Sequence, residues 1–447
     1  MKQKTLQRTK LARGVALAVL LGGATSAVAG YQGYQPGALK VLGKTTHPNT
    51  LLAIGNNPAS GESLINDEEN FRMGYFSSFG IDIEAGQVDN FIDEVDELSD
   101  ALDNEDLTLG EALDIKEKFD DLLPKFGEDA RLTIGLGLHV PFFPMALRTD
   151  FLGGVLGLDV HASGLFDVSF LDAPLDIQIT GSDVELLTAS ALYVKGASLV
   201  TGSLSYSAEV WQPPVMDSKL FAGVQLNAYH ATMNKQVLAL TNIAEDDDAG
   251  DAIRDEFEEN TVSTTEMGVD LGLLWAFPNG HAGLTIANIN EPEFKYGDIG
   301  TDCGSITDPT RRANCEVARD VFSGEISLQE TAVMAAQTTI EGSLYTEDKQ
   351  WLLTGAYDLN SVYDLVGRES QMISGSATYF PNSYILPTIR LGISQNLVGS
   401  ELTMVGFGTT LFGMMNIDLA ASLDTVELDG TKAPRRFGFN IGFEEKF

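Results

Sequence analysis

The chain has 447 residues and a formal net charge of −36, from 64 acidic and 28 basic side chains. An acid excess of this size excludes nucleic-acid binding, which needs basic patches facing phosphate. The length admits one large barrel or two ordinary soluble domains. Beyond the N-terminus no run of about 18 apolar residues offers a membrane-spanning helix.

Residues 2–13 carry Lys2, Lys4, Arg8, Lys10 and Arg13 and no acid. The apolar run Val15–Leu21 follows, and Ala27-Val28-Ala29 sets small residues where a signal peptidase reads. The run is too short to cross a hydrocarbon core of about 30 Å, so a secretory signal over residues 1–29 is expected, cleaved after Ala29. Loss of its five basic residues takes the charge to −41. Residues 30–70 are rich in Gly, Asn, Pro and Ser and cannot build a core of their own. Inside a barrel they are expected to form an N-terminal plug; the alternative is an unstructured tail.

Residues 71–83 read as a strand. An acidic helical insert over 84–128 comes next, with sixteen acids against three lysines. Val88, Phe91, Ile92, Val95, Leu98 and Leu102 recur at helical spacing. Thr108 and Glu111 make a capping box for a second helix. Its Leu109, Ala112, Leu113, Phe119 and Leu122 are expected to share an apolar face, and Pro124 to end it.

From residue 129 onward apolar and polar residues alternate in strand after strand. In Leu220–His230 the apolar residues oppose Gly223, Gln225 and Asn227, and in Gly268–Phe277 they oppose Asp270 and Gly272. In Trp351–Asn360 they oppose Thr354 and Asp358, in Ile385–Asn396 Thr388, Arg390 and Ser394, and in Met415–Asp424 Asn416, Asp418 and Ser422. The last strand sets Phe437, Phe439, Ile441 and Phe443 against Gly438, Asn440, Gly442 and Glu444, and the chain stops on Phe447. A wall with one lipid-facing and one water-facing side requires this pattern. A strand closing on a terminal Phe resembles the assembly signal of bacterial outer-membrane barrels. That resemblance implies the barrel-assembly machinery and outer-membrane lipid as partners.

Connection lengths alternate as well. Counting back from the C-terminus, 425–434 is long and Phe412-Gly413 tight, 361–370 long and 346–349 short. Farther back, 291–323 is very long, 278–280 tight and 236–261 very long. Outer-membrane barrels have short periplasmic turns and long external loops. The strands total about fifteen, but two termini on one side demand an even number, so an all-β transmembrane antiparallel barrel of about 14 strands is expected. Either 71–83 does not span, or 152–195 divides differently.

The chemistry offered is polar rather than catalytic. The lumen face collects Gln225, Asn227, Asp270, Asp358, Thr388, Arg390, Asn416, Asp418 and Asn440. Such a set serves as a solute path or as a network bracing barrel and plug. The five His show no pairing at metal-ligand spacing, so no metal is expected. His161-Ala-Ser163 alone does not make a hydrolase, and GxSxG, P-loop and dinucleotide fingerprints are missing, so neither an enzyme nor a cofactor is expected. Glu245–Asp248 with Asp251 lacks an EF-hand arrangement and reads as a solvated loop. Cys303 and Cys315 are expected to form one disulfide across a short loop in an oxidising compartment.

Gly55-Asn-Asn-Pro-Ala59 resembles the Asn-Pro-Ala signature of long-chain fatty-acid channels. The resemblance implies a plug carrying Asn57, Pro58 and Ala59 in a 14-stranded barrel, and a small apolar solute as cargo. Leu386-Pro-Thr-Ile-Arg-Leu-Gly-Ile-Ser-Gln-Asn-Leu397, Gly406-Phe-Gly408 and Asn416-Ile-Asp-Leu-Ala420, with the acidic insert, are similar to the outer-membrane family labelled conjugal-transfer TraF-like. From these likenesses a channel or transporter in the bacterial outer membrane is expected. A surface interaction protein, acting in conjugal transfer or cell contact through its long loops, is the alternative.

Overall fold

The computed structural model describes residues 36–48, 50–65, 70–102, 104, 106–149, 151, 153–181, 183–213, 217–244, 260–381, 386–428 and 430–446. The signal segment, Glu245–Asp248 with Asp251, Ile385 and Phe447 lie outside them.

One antiparallel sheet closes on itself. Its strands are β1 (Phe71–Ala85), β2 (Arg131–His139 and Met145–Thr149), β3 (Gly154–Leu171), β4 (Ala191–Trp211) and β5 (Lys219–Ala239). Next come β6 (Val262–Phe277), β7 (Gly280–Ala287), β8 (Gln337–Tyr345), β9 (Trp351–Asp358) and β10 (Met372–Tyr379). The wall ends with β11 (Thr388–Asn396), β12 (Thr403–Leu411), β13 (Met415–Ser422) and β14 (Arg436–Lys446). Closure runs through β1 and β14, paired from Arg72↔Lys446 to Glu84↔Arg436.

The doubt over strand number resolves in two places: within 152–195 the hairpin 175–188 pairs only with itself and adds nothing to the wall, and β2 is one strand in two halves. Arg131–His139 and Met145–Thr149 both pair with β1 on one side and β3 on the other. They are two halves of one strand broken at residues 140–144, so counting them separately adds a spurious strand. Fourteen positions remain, and 71–85 does span.

Strand polarity sorts the connections. Both β1 and β14 have their outer ends, Phe71 and Lys446, at the end that carries 150–153, 212–218, 278–279, 346–350, 380–387 and 412–414. Every long connection leaves from the opposite end, the acidic insert included. The outward residues form an apolar belt, among them Leu226, Leu271, Leu273, Leu353, Leu391, Ile393 and Phe407, each exposed. All three tryptophans, Trp211, Trp275 and Trp351, face outward near the short-turn end, where an aromatic girdle marks a membrane interface. No helix among the described residues is long and apolar enough to cross a membrane; the strands do so.

The insert folds as α1 (Phe91–Leu102) and α2 (Leu109–Asp129), opened by the Thr108–Glu111 capping box. Val95, Leu98, Ala112, Phe119, Leu123 and Phe126 pack on Val168 and Phe170 of β3 and on the hairpin 175–188. Phe91, Phe126 and Phe170 meet edge to face with centroids 5.3–6.1 Å apart. Two expectations are corrected. Pro124 lies inside α2, which runs on to Asp129. An interior Pro costs about 3 kcal/mol, here offset by burial of Phe126 beyond it. Leu109 and Leu113 are exposed, because the helix turns Ala112, Phe119, Leu123 and Phe126 inward instead. Farther along, Cys303 and Cys315 are bonded, with Cα atoms 5.6 Å apart. They tie the turn Cys303–Ser305 to the helix Pro309–Asp320.

Asp96 on α1 is half-buried beside Asp93 and Asp100, and desolvation with these two like charges pushes its pKa up to about 6. A carboxyl whose folded pKa is raised supports the fold most when protonated. Its contribution is therefore full below about pH 4 and lost as pH rises through about 6. Hydrogen-exchange protection factors across the two helices, corrected for the intrinsic pH dependence of exchange, should rise on acidification from pH 7 to 5, and Asp96→Asn should remove most of that rise.

Candidate functional site

A barrel of this size encloses more space than its own side chains fill. The N-terminal segment occupies it. Residues 36–48 and 50–65 lie inside the wall, with short helical turns at Leu39–Leu42, Ala53–Asn56, Pro58–Ser60 and Gly61–Leu64. Leu39, Leu42, Leu51, Leu52, Ala53 and Ala59 are fully buried. Asn57 caps its turn by accepting from the Ala59 amide at 3.0 Å. Pro58 follows at a position where no amide hydrogen is needed.

Two cross-strand glycine pairs let the segment touch the wall. Gly223 of β5 faces Gly272 of β6, and the Asn57-Pro58-Ala59 turn lies over both. A Cβ on Gly223 would stand 2.3 Å from the Pro58 carbonyl carbon, and one on Gly272 would stand 2.2 Å from Asn57 Oδ1. Gly392 of β11 faces Gly406 of β12, and a Cβ on Gly392 would meet the Val41 carbonyl oxygen at 1.9 Å. Any side chain at these points would push the segment off the wall.

Between the glycine seats, wall carboxylates hold the segment. Glu341 of β8 accepts from the Thr46 amide, from Thr46 Oγ1 at 2.8 Å and from Asn57 Nδ2 at 2.9 Å. Glu444 of β14 accepts from Thr50 Oγ1 at 2.8 Å and the Leu51 amide at 3.0 Å. Lys40 pairs with Asp82 at 2.5 Å and Lys44 with Asp358 at 3.0 Å. Arg72 of β1 donates to the Leu64 carbonyl at 2.7 Å. Asp82 also binds Arg436 at 2.7 Å, and Arg436 and Arg368 share Glu84 at 3.2 and 3.7 Å. Removing one partner of such a buried pair costs about 3–5 kcal/mol.

The structure places the polar residues read from the strand faces in the buried interior, except Thr388 and Ser394, which are partly exposed. Gln225 and Asn227 donate to Asp270 at 3.2 and 2.7 Å. Arg390 pairs with Asp418 at 2.8 Å and donates to Thr410, which donates to Asn416 at 2.7 Å. Asn440 donates to Ser78 Oγ at 2.9 Å, and the Gly37 amide donates to the same oxygen at 3.0 Å. Phe437, Phe439, Ile441 and Phe443 alternate with these inward residues on β14, and Phe437 is exposed.

Sequence reading put Glu444 on the polar face of the last strand without giving it a role, and it missed Glu341, Arg72 and the Asp82–Arg436–Glu84–Arg368 chain. Period-two alternation in 71–85 and 337–345 carried the signal for the strand residues. It also missed a grouping of histidines. His139 and His161 are direct partners across β2 and β3, and both approach Asp159. The expectation that no histidines pair is thus corrected: the partners come from different strands, and sequence spacing cannot show that.

Two cavities border the segment among the described residues and bear on the site. The larger, about 230 Å³, opens at the long-loop end and is lined by Lys44, Asp82, Glu84, Arg131, Arg368 and Arg436, among others. The smaller, about 70 Å³, lies between the wall and Gly55-Asn56 and is bordered by His161, Asn227 and Asp270.

Gly272→Val should unseat the Asn57–Ala59 turn, with an overpacking cost of about 1–3 kcal/mol. Limited proteolysis of detergent-solubilised protein should then cut within 53–60. Gly202→Ala, at a wall position with nothing within 4 Å, should leave cleavage unchanged.

Solved barrels resemble the chain at low identity. The toluene transporter TbuX of Ralstonia pickettii is 12% identical, with TM-score 0.43, covering 94% of this chain and 100% of its own. The toluene transporter TodX of Pseudomonas putida is 12% identical, with TM-score 0.41 and coverage of 94% and 98%. A Pseudomonas aeruginosa FadL homologue is 11% identical, with TM-score 0.42 and coverage of 94% and 99%. At this similarity nothing about cargo transfers, and the fold stands on this chain's own strand pairing. No curated protein matches the sequence. The pattern defining the family described as F plasmid transfer operon, TraF, protein matches residues 56–358. That span runs from the lumenal Asn-Pro-Ala turn to the end of β9, and the chain belongs to this TraF family.

Proposed function

We propose that this protein is an outer-membrane channel for a small solute, closed by its own N-terminal segment. The observation that carries the reading is the seating of residues 36–65 in the lumen. The segment is held by hydrogen bonds, ion pairs and two close glycine approaches, with no covalent link to the wall beyond the chain itself. Such contacts seal a pore and can be exchanged for water one by one. The apolar belt and the aromatic girdle support a bilayer as the solvent of the outer wall.

The cavity lining bears on the cargo. Resemblance to fatty-acid channels implied an apolar solute. The mouth at the long-loop end is instead rimmed by lysine, arginine and carboxylate side chains, and the apolar side chains of the segment are spent against the wall at Ala146 and Val155. A small water-soluble solute carrying charge fits this entrance better. Proteoliposomes containing the protein without residues 36–65 should pass small charged solutes at least tenfold faster than the full chain. Unchanged flux would remove the gate. Acceleration confined to a small aromatic hydrocarbon would restore the apolar cargo.

A second reading is surface contact during conjugal transfer, which the family's description suggests. The gathering of every long connection at one end, with Leu109 and Leu113 exposed on an acidic hairpin, favours it. Replacing 297–328 and 245–259 by short turns should lower mating frequency while the barrel still assembles. Unchanged mating rules this reading out.

A further inference from the structure

The histidine grouping in the wall has no part in the closure described above. His139 is the last residue of the first half of β2, immediately before the break at 140–144. Its register partner on β3 is His161. Asp159 lies two residues earlier on β3, so it shares the lumen-facing side with His161. The three side chains are 1, 7 and 6% exposed for His139, Asp159 and His161, which places all of them out of bulk water. Asp159 Oδ2 is 2.8 Å from His161 Nδ1 and 3.4 Å from His139 Nε2. The two imidazole rings stand 5.0 Å apart at an interplanar angle of 31°. Neither ring nitrogen of His139, nor Asp159 Oδ1, has a hydrogen-bond partner of normal geometry among the described residues.

We infer that His139, Asp159 and His161 form a binding site for a divalent transition-metal ion of the Zn²⁺ class. One buried carboxylate needs only one positive partner, yet two imidazoles converge on it. One imidazolium would balance that charge, but it leaves the His139 ring nitrogens without a partner of normal geometry. A divalent cation uses both nitrogen lone pairs and neutralises the carboxylate at once. The spacing suits it. With metal–ligand bonds of about 2.0–2.2 Å, ligand atoms of a tetrahedral site stand about 3.3–3.6 Å apart. The 3.4 Å separation from His139 falls in that range, the 2.8 Å separation from His161 would open by about half an ångström on binding, and one ligand atom from each residue lies within 4.8 Å of the others. A nitrogen-rich set of this kind selects Zn²⁺, Co²⁺ or Ni²⁺ over Ca²⁺ and Mg²⁺, which prefer oxygen.

A three-residue set leaves at least one coordination position open. His161 borders the cavity of about 70 Å³ beside Gly55-Asn56, which has room for a water ligand and gives the ion a way in. A bound ion would clamp the end of Arg131–His139 to β3, just where the wall is interrupted.

The full mature chain in detergent, stripped with a chelator and kept in excess Ca²⁺ to occupy surface carboxylates, is titrated with Zn²⁺ and with Co²⁺. One equivalent of Zn²⁺ should bind, and the Co²⁺ form should show visible d–d bands. His139→Gln and His161→Gln should each weaken binding at least about 100-fold, beyond the loss typical of outer-shell partners, while the barrel keeps its heat-modifiable mobility on gels. Equal Zn²⁺ uptake by wild type and the double variant overturns the site, as does no uptake by wild type. Should the variants fail to fold, X-ray absorption of the Zn²⁺-loaded wild type decides. Two imidazole nitrogens in the coordination shell support the site, and an all-oxygen shell overturns it.

Discussion

The structure depends on filling space inside a closed wall. Fourteen strands enclose a lumen that their inward side chains leave partly open, while the backbone of a bilayer-spanning segment must satisfy its hydrogen bonds within the protein. The wall solves the second problem by closing β1 on β14. It solves the first by taking in residues 36–65. Many of the polar side chains that point inward are then either bonded to a neighbouring strand or offered to the segment. Glu341 and Glu444 show the division clearly. Each sits on the wall, and each spends its oxygens on amides and hydroxyls of the segment.

The glycine pairs and the ion pairs do different work. At Gly223–Gly272 and Gly392–Gly406 the segment's backbone comes so close that shape alone fixes its position. The carboxylates and Lys40, Lys44 and Arg72 then set orientation, because charge-assisted hydrogen bonds are directional. A contact built this way is specific without being apolar throughout.

Much of this was legible in the sequence because a strand's side chains alternate with period two. Alternation assigned Gln225, Asn227, Asp270, Asp358, Arg390, Asn416, Asp418 and Asn440 to the inner face, and the structure buries each of them. Connection lengths assigned the two ends. The helical insert was readable as helices from its 3.6-residue periodicity and its capping box. Which residues of α2 face the barrel was not readable: Leu109 and Leu113 fit an apolar stripe in isolation, but contact with Phe170 and the 175–188 hairpin selects Phe119, Leu123 and Phe126. Pro124 misled for a similar reason. A local helix breaker was outweighed by tertiary burial.

By itself, then, the sequence determined the two-faced wall, the even number of strands and the end at which the long loops gather, since these follow from local periodicity and chain direction. Only the tertiary structure decided which residues meet. The break at 140–144 sets how Arg131–His139 registers against β3, and that register brings His139 and His161 to one carboxylate. The seat of Asn57-Pro58-Ala59 on Gly223 and Gly272 likewise joins positions more than 150 residues apart. Neither meeting leaves a trace in spacing along the chain, because barrel closure and lumen filling are long-range events.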